Sequence, residues 1–285
     1  MAAHRSIRPQ ARGLLRGARL ALAAAVMSAS LTGTGVLAPV VLAETPSPIP
    51  AVVPIVLGDA VTFYGRGYGH GVGLSQFGAR GRALAGQDAA TILAHYYQGT
   101  TLTEIDPATR IRVLVFPRWS ATAAHPLEIS GRLTPWTIDG LGLVFPPDAR
   151  LRLSRAAIGT LGTWRLVVDA PDGTILFDGP PPPDIIVRPM TDDGRLQVSS
   201  KPTRYNLYRG LTHVVVRPTT STVSVVNDIT LEGYLDGVVP VEMPSTWPAA
   251  ALQAQAIAAR SFAARLQSPA SYFDVRDDSS SQIYR

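Results

Sequence analysis

Runs of hydrophobic positions predict that β-strands dominate the middle of the chain. Residues 111–116, 213–216 and 223–226 are rich in β-branched and other apolar side chains, over lengths typical of strands. Each run is therefore predicted to form a strand. The region at residues 105–200 is predicted to be β-rich throughout.

Two further pairs of strands are predicted on either side of turn signals. Residues 163–170 and 174–178 flank a Pro-Asp-Gly turn, and residues 184–190 and 195–198 flank an Asp-Asp-Gly turn. Because such turns reverse the chain between apolar runs, each pair is predicted to form a β-hairpin. The proline run at residues 180–183 is predicted to form a stiff polyproline spacer between the hairpins.

Two helices are predicted from capping residues and from apolar positions at helical spacing. The first begins after Asp88, a good N-cap residue, includes Ile92, Leu93 and Tyr96, and ends before Gly99. The second lies near the end of the chain and is rich in alanine.

The second predicted helix follows a short loop that carries an acid. Residues 238–241 are β-branched and include a proline, so they are predicted to be extended. Glu242 then lies on a turn, Ser245 and Thr246 are candidate N-caps, and the helix begins at Ala249. The predicted buried face of this helix consists of Leu252, Ala256, Ala259, Ala263 and Leu266.

These elements predict an α+β fold, in which a mixed sheet packs against a few helices. A hairpin-rich β accessory region is expected at residues 105–200. Residues 44–285 are enough for one large domain or two small ones.

The first 43 residues have the composition of an export signal. Five arginines precede an uncharged run that ends at Ala43, where the sequence fits the small-residue rule for signal cleavage. Residues 1–43 are therefore predicted to be a signal peptide, and the protein to be secreted or associated with the cell wall. A retained membrane anchor is the alternative, because the uncharged run is long enough to span a bilayer. Residues 44–60 are Pro-rich and are predicted to be a linker.

Charge and cysteine content exclude two classes of protein. The formal net charge is +5, and residues 1–43 contain five arginines and no acids, so the remainder is close to neutral. A near-neutral chain argues against nucleic acid as a partner. The absence of cysteine excludes a disulfide framework, so the fold has to be stabilised by its core.

Glycine occupies every second position from Gly65 to Gly73. In a strand these residues would all lie on one face, leaving bare backbone that a second strand or a ligand could approach closely. The order of the glycines matches neither a dinucleotide-binding fingerprint nor a phosphate-binding loop.

A long ordered phrase surrounds Glu242. It consists of Glu232-Gly233-Tyr234-Leu235, Gly237-Val238-Val239, Glu242-Met243-Pro244, Trp247-Pro248 and Ala258-Ala259-Arg260. This phrase resembles the stage II sporulation protein D family, which includes the amidase-enhancer proteins. The resemblance implies that Glu242 is the acid/base of a lytic transglycosylase that acts on peptidoglycan. From the residues alone, a single glutamate on a turn is also compatible with an ordinary solvated position.

Residues 61–104 contain a second phrase, Gly69-His70-Gly71-Val72-Gly73-Leu74-Ser75-Gln76. It is similar to a phrase of the same family that follows the glutamate segment, with Met at the position of Leu74. Because the phrase comes first in this chain, the resemblance implies a permuted order, with this block packed beside the Glu242 loop. It also makes His70, Ser75 and Gln76 candidate substrate-binding residues; the alternative is that they satisfy a local turn.

A third family-like phrase lies at the end of the chain. Asp277 and Gln282 match the family pattern, and Asp278 stands where Thr is common. Some members have cysteines that can hold zinc on either side of this phrase. Arg276 and Ser281 occupy those positions here, so no metal site is predicted.

Residues 201–285 are thus expected to be the catalytic segment of the family. Members continue for many residues beyond the third phrase, so this segment is expected to be incomplete or to be completed by residues 61–104. The resemblance implies further cleft residues, namely Gln255, Arg260, Asp277 and Gln282.

One carboxylate can suffice for such a reaction, because the nucleophile is a hydroxyl of the muramic acid ring itself. The acid has to be protonated near neutral pH, which requires an apolar setting; Val239, Val241, Met243 and Trp247 are the candidates. No cofactor is implied. The predicted partners are peptidoglycan glycan strands, and a cell-wall amidase if the protein is instead a non-catalytic binder that stimulates one. A membrane is a partner only if the N-terminal segment is retained.

Overall fold

The computed structural model describes residues 71–155, 163–217 and 222–285. The predicted signal peptide, the predicted linker and His70 lie outside these residues. Within the described ranges, no helix is both long and apolar enough to cross a membrane.

Two helices precede the strands in the described chain, and two follow all of them except the last. The helices are α1 (Gln76–Leu84), α2 (Ala89–Tyr96), α3 (Leu231–Glu242) and α4 (Ala249–Arg265). The strands are β1 (Arg110–Trp119), β2 (Leu127–Arg132), β3 (Trp136–Ile138), β4 (Val144–Phe145), β5 (Arg150–Arg155), β6 (Trp164–Asp169), β7 (Ile175–Gly179), β8 (Ile185–Pro189), β9 (Arg195–Val198), β10 (Leu207–Tyr208), β11 (Leu211–Arg217), β12 (Thr222–Thr230) and β13 (Val275–Arg276).

The strands form two sheets that share one hydrophobic core. The seven-stranded sheet has the order β13-β1-β12-β11-β8-β3-β4, and the six-stranded sheet has the order β10-β9-β2-β5-β6-β7. β1 pairs in parallel with β13 and antiparallel with β12, so the larger sheet is mixed, which confirms the predicted α+β fold. Fully buried side chains of both sheets meet in the core, among them Ile111, Val113, Leu127, Ile129, Trp136, Leu151, Leu166 and Val225.

The region at residues 105–200 contributes strands to both sheets. β1, β3, β4 and β8 lie in the larger sheet beside β11 and β12, whereas β2, β5, β6, β7 and β9 lie in the smaller one. Residues 105–200 therefore share a core with residues 201–285. The predicted strands at residues 111–116, 213–216 and 223–226 are confirmed as parts of β1, β11 and β12.

One of the two predicted hairpins is confirmed. β6 and β7 pair antiparallel, with Leu166 opposite Gly179. The other hairpin prediction is wrong: β8 pairs with β3 and β11 in the larger sheet, and β9 pairs with β2 and β10 in the smaller one. A turn closed by the Gly194 N–H and the Thr191 carbonyl, 2.9 Å apart, thus lies where the chain crosses between sheets. The pairing partners of β8 are distant in sequence, so the local turn signal did not reveal them.

The prediction that residues 238–241 are extended is wrong, because they form the end of α3. Thr230 caps this helix by accepting a hydrogen bond from the Gly233 N–H at 3.2 Å. The helix buries one stripe with helical spacing, consisting of Leu231, Tyr234, Leu235 and Val238. Burial of this stripe outweighs the β-propensity of the valines and the cost of Pro240, which lies in the last turn.

The starts of α2 and α4 differ in how well the sequence predicted them. Asp88 is the N-cap of α2, as predicted, and its Oδ1 accepts a hydrogen bond from the Thr91 N–H at 2.8 Å. The N-cap of α4 is Pro248, not Ser245 or Thr246, and no side chain caps its first turn. A proline suits this place because the first N–H groups of a helix have no intrahelical partner.

The buried face of α4 differs in part from the predicted one. Its buried residues are Ala251, Ala254, Ala259 and Ala263. Leu252 and Ala256 are only half-buried, and Leu266 is 38% exposed. The alanines allow close packing on two sides, against α1 and α2 near the start of α4 and against the main core near its end.

The described end of the glycine-rich segment is not extended. Gly71 and Gly73 have φ angles of 75° and 80°, in the left-handed region that favours glycine. Gly71 and Gly73 are therefore not in the strand geometry considered from the sequence; Gly65 to His70 lie outside the described part.

Candidate functional site

Glu242 is the last residue of α3, at a junction where all four described helices come together. The next residue, Met243, is fully buried, and its N–H donates to the Val239 carbonyl at 2.9 Å. The Met243 side chain lies in a cluster contributed by α1, α2 and α4, namely Ala79, Ile92, Leu93, Ala251 and Ala254. The prediction that Glu242 lies on a turn is therefore wrong: it is the last helical residue, and the buried Met243 anchors the chain directly after it.

The half-buried Glu242 carboxylate makes no hydrogen bond or ion pair within the described part of the chain. The other six acids of residues 222–285 all have partners; they are Asp228, Glu232, Asp236, Asp274, Asp277 and Asp278. A carboxyl group that is partly removed from water and free of a partner is available for proton transfer.

The four residues predicted to give Glu242 an apolar setting differ in their burial. Met243 is fully buried, and Val239 and Trp247 are half-buried against the two apolar clusters. Val241 is 45% exposed.

Residues 71–104, the described part of the block at residues 61–104, pack beside the loop that follows Glu242, as the resemblance implied. Phe77 and Trp247 make an edge-to-face contact, with ring centroids 5.1 Å apart. The Leu74 N–H donates to the Tyr97 hydroxyl at 3.1 Å, which ties the segment before α1 to the end of α2. A Cβ atom on Gly78 would lie 1.9 Å from the Tyr96 hydroxyl, so only glycine permits this approach of α1 to α2.

Ser75 and Gln76 lie at the start of α1. The Ser75 hydroxyl caps this helix by accepting a hydrogen bond from the Gly78 N–H at 3.2 Å. Gln76 is the first residue of the helix and is half-buried. Ser75 thus satisfies a helix end, the alternative noted from the sequence, while Phe77 contacts the Glu242 loop through Trp247.

Arg260 and Gln255 lie on α4. Arg260 forms a bidentate ion pair with Glu232 of α3, through Nε at 2.6 Å and Nη2 at 2.7 Å. The hydrogen bonds from Arg260 hold the pKa of Glu232 below its usual value. Gln255 is half-buried. Arg260 therefore connects two helices of the site, and its donors already have an acceptor.

Asp277 and Gln282 belong to a polar network beneath α3. Asp277 forms an ion pair with Lys201, and both side chains are largely buried. The Gln282 Oε1 accepts a hydrogen bond from the Tyr234 hydroxyl at 3.2 Å. Burial raises the pKa of Tyr234, and the charges of Tyr284 and Glu242 raise it further. Gln282 thus contacts α3, the helix that ends at Glu242, through the buried Tyr234.

The described residues hold no group of three or more His, Asp or Glu side chains that could bind a metal ion. At the two positions where some family members have cysteine, the Arg276 N–H donates directly to the Ser281 hydroxyl at 3.1 Å. This hydrogen bond thus joins the two positions that carry cysteine in those members.

Sequence reasoning missed Phe77, Arg80 and Lys201 as neighbours of the site. Arg80 lies over the Trp247 ring, with its guanidinium carbon 5.5 Å from the ring centroid. Phe77 could have been recognised from the sequence, because it directly follows the candidate residue Gln76. Arg80 could then have been recognised as well, because helical spacing places it on the same face as Phe77. Lys201 carried no local signal, since its partner Asp277 is 76 residues away in the sequence.

Comparisons with known proteins match the last part of the chain. The family model described as Stage II sporulation protein matches residues 219–285. The amidase enhancer of Bacillus subtilis (strain 168) is 60% identical over 42 residues, which are 15% of this chain and 6% of that protein. Stage II sporulation protein D of the same strain is 49% identical over 49 residues, 17% of this chain and 14% of that protein. The same-named protein of Bacillus amyloliquefaciens is 45% identical over 49 residues, again 17% and 14%.

The match thus spans a small part of each of these relatives, and no solved structure matches the chain significantly. The matched range contains Glu242, α3, α4 and the Asp277–Gln282 tail, which are the parts that form the site described above. Over residues 219–285, the chain is therefore similar to the stage II sporulation protein family, and its relatives there include stage II sporulation protein D and an amidase enhancer.

Proposed function

We propose that the protein is a lytic transglycosylase that cleaves peptidoglycan glycan strands, with Glu242 as the single acid/base. The observation that carries the proposal is the free, half-buried carboxyl group of Glu242 at the junction of four helices. The other acids of residues 222–285 are engaged in hydrogen bonds or ion pairs, so no second carboxylate of that segment is free to share the chemistry.

The proposed reaction needs one proton carrier and no water. As the bond between C1 of N-acetylmuramic acid and O4 of N-acetylglucosamine breaks, the protonated Glu242 donates its proton to O4. The C6 hydroxyl of the same muramic acid attacks C1 and gives its proton to the Glu242 carboxylate. The product is a 1,6-anhydro ring, and the acid is regenerated.

An internal nucleophile explains why one carboxylate suffices. Hydrolytic glycosidases use a second carboxylate to activate water or to form a covalent intermediate. A hydroxyl that already belongs to the reacting sugar replaces that second group, because its effective concentration is very high. General acid catalysis by one positioned group contributes a factor of about 10²–10⁴.

A second candidate function is stimulation of a cell-wall amidase without catalysis. It is favoured by the 60% identity to the amidase enhancer over the matched segment. In that case the helix junction would bind the glycan strand or the amidase, and Glu242 would be a binding residue. Both candidates place the protein at the cell wall, so we also propose that residues 1–43 direct its export.

One experiment separates the two candidates. The purified chain is incubated with glycan strands, with and without stem peptides, and the products are examined for anhydromuramoyl ends by mass spectrometry. In parallel, the rate of a purified N-acetylmuramoyl-L-alanine amidase is measured with and without the protein. Anhydro ends that disappear in Glu242→Gln support the transglycosylase. Stimulation that survives Glu242→Gln, without anhydro ends, supports the enhancer. The intact mass of the exported protein tests the signal peptide.

A further inference from the structure

Phe77 is a large apolar side chain that is fixed in position although 72% of it is exposed. Its ring contacts the ring of Trp247 edge-to-face, at an interplanar angle of 61°. Single exposed apolar residues are common and need no explanation. An exposed ring held by a second aromatic ring on the loop that follows the candidate acid is a more specific arrangement.

The backbone beneath Phe77 is held on several sides. Ala79 is fully buried against α2 and α4, and the Ser75 hydroxyl caps the first turn of α1. Gly78 allows the Tyr96 hydroxyl to approach the helix closely. α1 therefore presents the Phe77 ring from a rigid support, which lowers the entropic cost of binding a ligand.

Trp247 is equally well fixed and lies close to Glu242. The backbone N–H of Trp247 donates to the Pro244 carbonyl at 3.0 Å, which closes a turn. The Arg80 guanidinium lies over the Trp247 ring. The turn from Pro244 to Trp247 spans at most about 7 Å between its end Cα atoms. The two residue steps from Glu242 to Pro244 add about 7 Å, so the Cα atoms of Glu242 and Trp247 lie within about 14 Å of each other.

We propose that Phe77 and Trp247 form an aromatic platform that binds a pyranose ring of the glycan strand next to the bond that Glu242 cleaves. The C–H groups on one side of a pyranose carry small positive charges, which complement the negative face of an aromatic ring. The Arg80 guanidinium supplies hydrogen-bond donors for the hydroxyls at the rim of the same sugar. The platform deepens the function proposed above and rests on it for the identity of the glycan.

The surroundings of the platform favour a sugar over an apolar protein or lipid surface. Arg80 is exposed one turn further along α1, on the same face as Phe77, and the exposed Ser75 precedes the helix. Interfaces with proteins or membranes usually involve contiguous apolar patches of several hundred Å². An exposed ring with a guanidinium group beside its aromatic partner matches the mixed apolar and polar surface of a carbohydrate.

Binding is tested with the full chain carrying Glu242→Gln, so that the ligand is not consumed. The probe is a soluble, peptide-free glycan oligomer of alternating N-acetylglucosamine and N-acetylmuramic acid, titrated in a calorimeter. We expect Phe77→Ala to weaken binding about tenfold, or about 1.4 kcal/mol, and Phe77→Tyr to bind like the parent. Phe262→Ala is the matched control, because Phe262 is a phenylalanine of α4 that is 42% exposed and lies outside the platform. Circular dichroism melting confirms that each variant is folded.

Kinetics with Glu242 intact separate the platform from the catalytic proposal. We expect Phe77→Ala to raise KM for the oligomer about tenfold while kcat stays within about twofold, which indicates lost ground-state binding. If the parent makes no anhydro ends but Phe77→Ala still weakens binding, the platform stands and the catalytic proposal fails. If the parent cleaves and Phe77→Ala changes neither KM nor affinity, the platform is overturned while the catalytic proposal stands. Equal losses of affinity for the glycan oligomer in Phe77→Ala and Phe262→Ala also overturn the platform.

Discussion

Arg260 binds both carboxylate oxygens of Glu232, with Nε 2.6 Å from Oε1 and Nη2 2.7 Å from Oε2. Glu232 lies in the first turn of α3, and Glu242 ends the same helix. The pair therefore joins α4 to α3 and helps to fix the direction in which α3 presents Glu242. Arg260, which the family resemblance places in the substrate cleft, thus also has a structural role in joining α4 to α3.

The first prediction concerns the stability contributed by this pair. Glu232 is 56% exposed, so solvent screens the interaction, and we expect Arg260→Ala to lower the free energy of unfolding by about 0.2–1 kcal/mol. Urea denaturation measures this change. If Arg260 acts only as a brace, kcat and KM stay within about threefold of the parent; a large rise in KM with unchanged stability would show direct contact with substrate.

The second prediction concerns Glu242. Replacement by glutamine removes the proton donor while keeping the shape, so we expect kcat to fall by about 10²–10⁴-fold. The free energy of unfolding should change little, because the Glu242 carboxylate has no hydrogen bond or ion pair in the described residues. Glu232→Gln, on the same helix, is the control and should keep most activity. Activity of Glu242→Gln close to that of the parent would rule out the acid/base role.

The third prediction concerns pH-dependent stability at Asp274. Burial opposes ionisation of this carboxyl group, but hydrogen bonds from Arg112 and from the Ser268 N–H outweigh it and hold its pKa below the ordinary value. Asp274 therefore stabilises the fold above its unfolded pKa of about 3.9, and this contribution is lost as the pH falls through the lower folded pKa.

We expect Asp274→Asn to lower the unfolding free energy at pH 7 by about 3 kcal/mol, the lower end of the range for buried pairs, since Arg112 remains 29% exposed. The difference from the parent should shrink as the pH is lowered from 5 to 2. Denaturation curves at each pH in this range measure the difference. Subtracting the unfolding free energies of the two proteins cancels the contributions of acids that titrate alike in both. A difference that is constant with pH would contradict the ionic role.

The fourth prediction concerns the contact between α1 and α2. A Cβ atom at Gly78 would lie 1.9 Å from the Tyr96 hydroxyl and 3.1 Å from the ring carbon that carries it. Overpacking of this kind typically costs about 1–3 kcal/mol, so we expect Gly78→Ala to lower the melting temperature. Tyr96→Phe in the same chain removes the clashing hydroxyl and should restore part of the loss. Gly81→Ala is the matched control, because a Cβ there meets nothing within 4 Å.

Local patterns predicted the elements whose partners are near in sequence. Asp88 and the β6–β7 turn were recognised because a cap and a tight hairpin are local structures. β8 was placed in the wrong pairing because its neighbours, β3 and β11, are brought to it by the packing of whole sheets.

The error at residues 238–241 has a different cause. The valines and Pro240 favour an extended chain locally, but the burial of Tyr234, Leu235 and Val238 on the core favours a helix. The helical spacing of those three residues was visible in the sequence and was the better signal. Glu242 itself was found only through the family phrase, since one free acid has no pattern of its own.

The last prediction concerns the ion pair between Lys201 and Asp277, which ties the segment after β9 to the segment after β13. The Lys201 side chain is 11% exposed and that of Asp277 is 14% exposed, and Lys201 also donates to the Tyr208 hydroxyl at 2.6 Å. Lys201→Met removes one charge and leaves the Asp277 carboxylate largely buried, with Arg285, 3.9 Å away, as its remaining cationic neighbour among the described residues. We expect a loss of about 3–5 kcal/mol in the free energy of unfolding.

Asp277→Asn combined with Lys201→Met removes both charges, so it should recover part of that loss. A double-mutant cycle from urea denaturation measures the coupling, and purely additive effects would show that the two side chains do not interact. The sequence offers an independent readout, because Lys201 is the only lysine of the chain. Its acetylation by a small reagent, followed by mass spectrometry, should be slow in the parent and fast in Asp277→Asn, where the ammonium group loses its charged partner. Equal rates would mean that Lys201 is already accessible and that the pair does not hold the tail against the sheets.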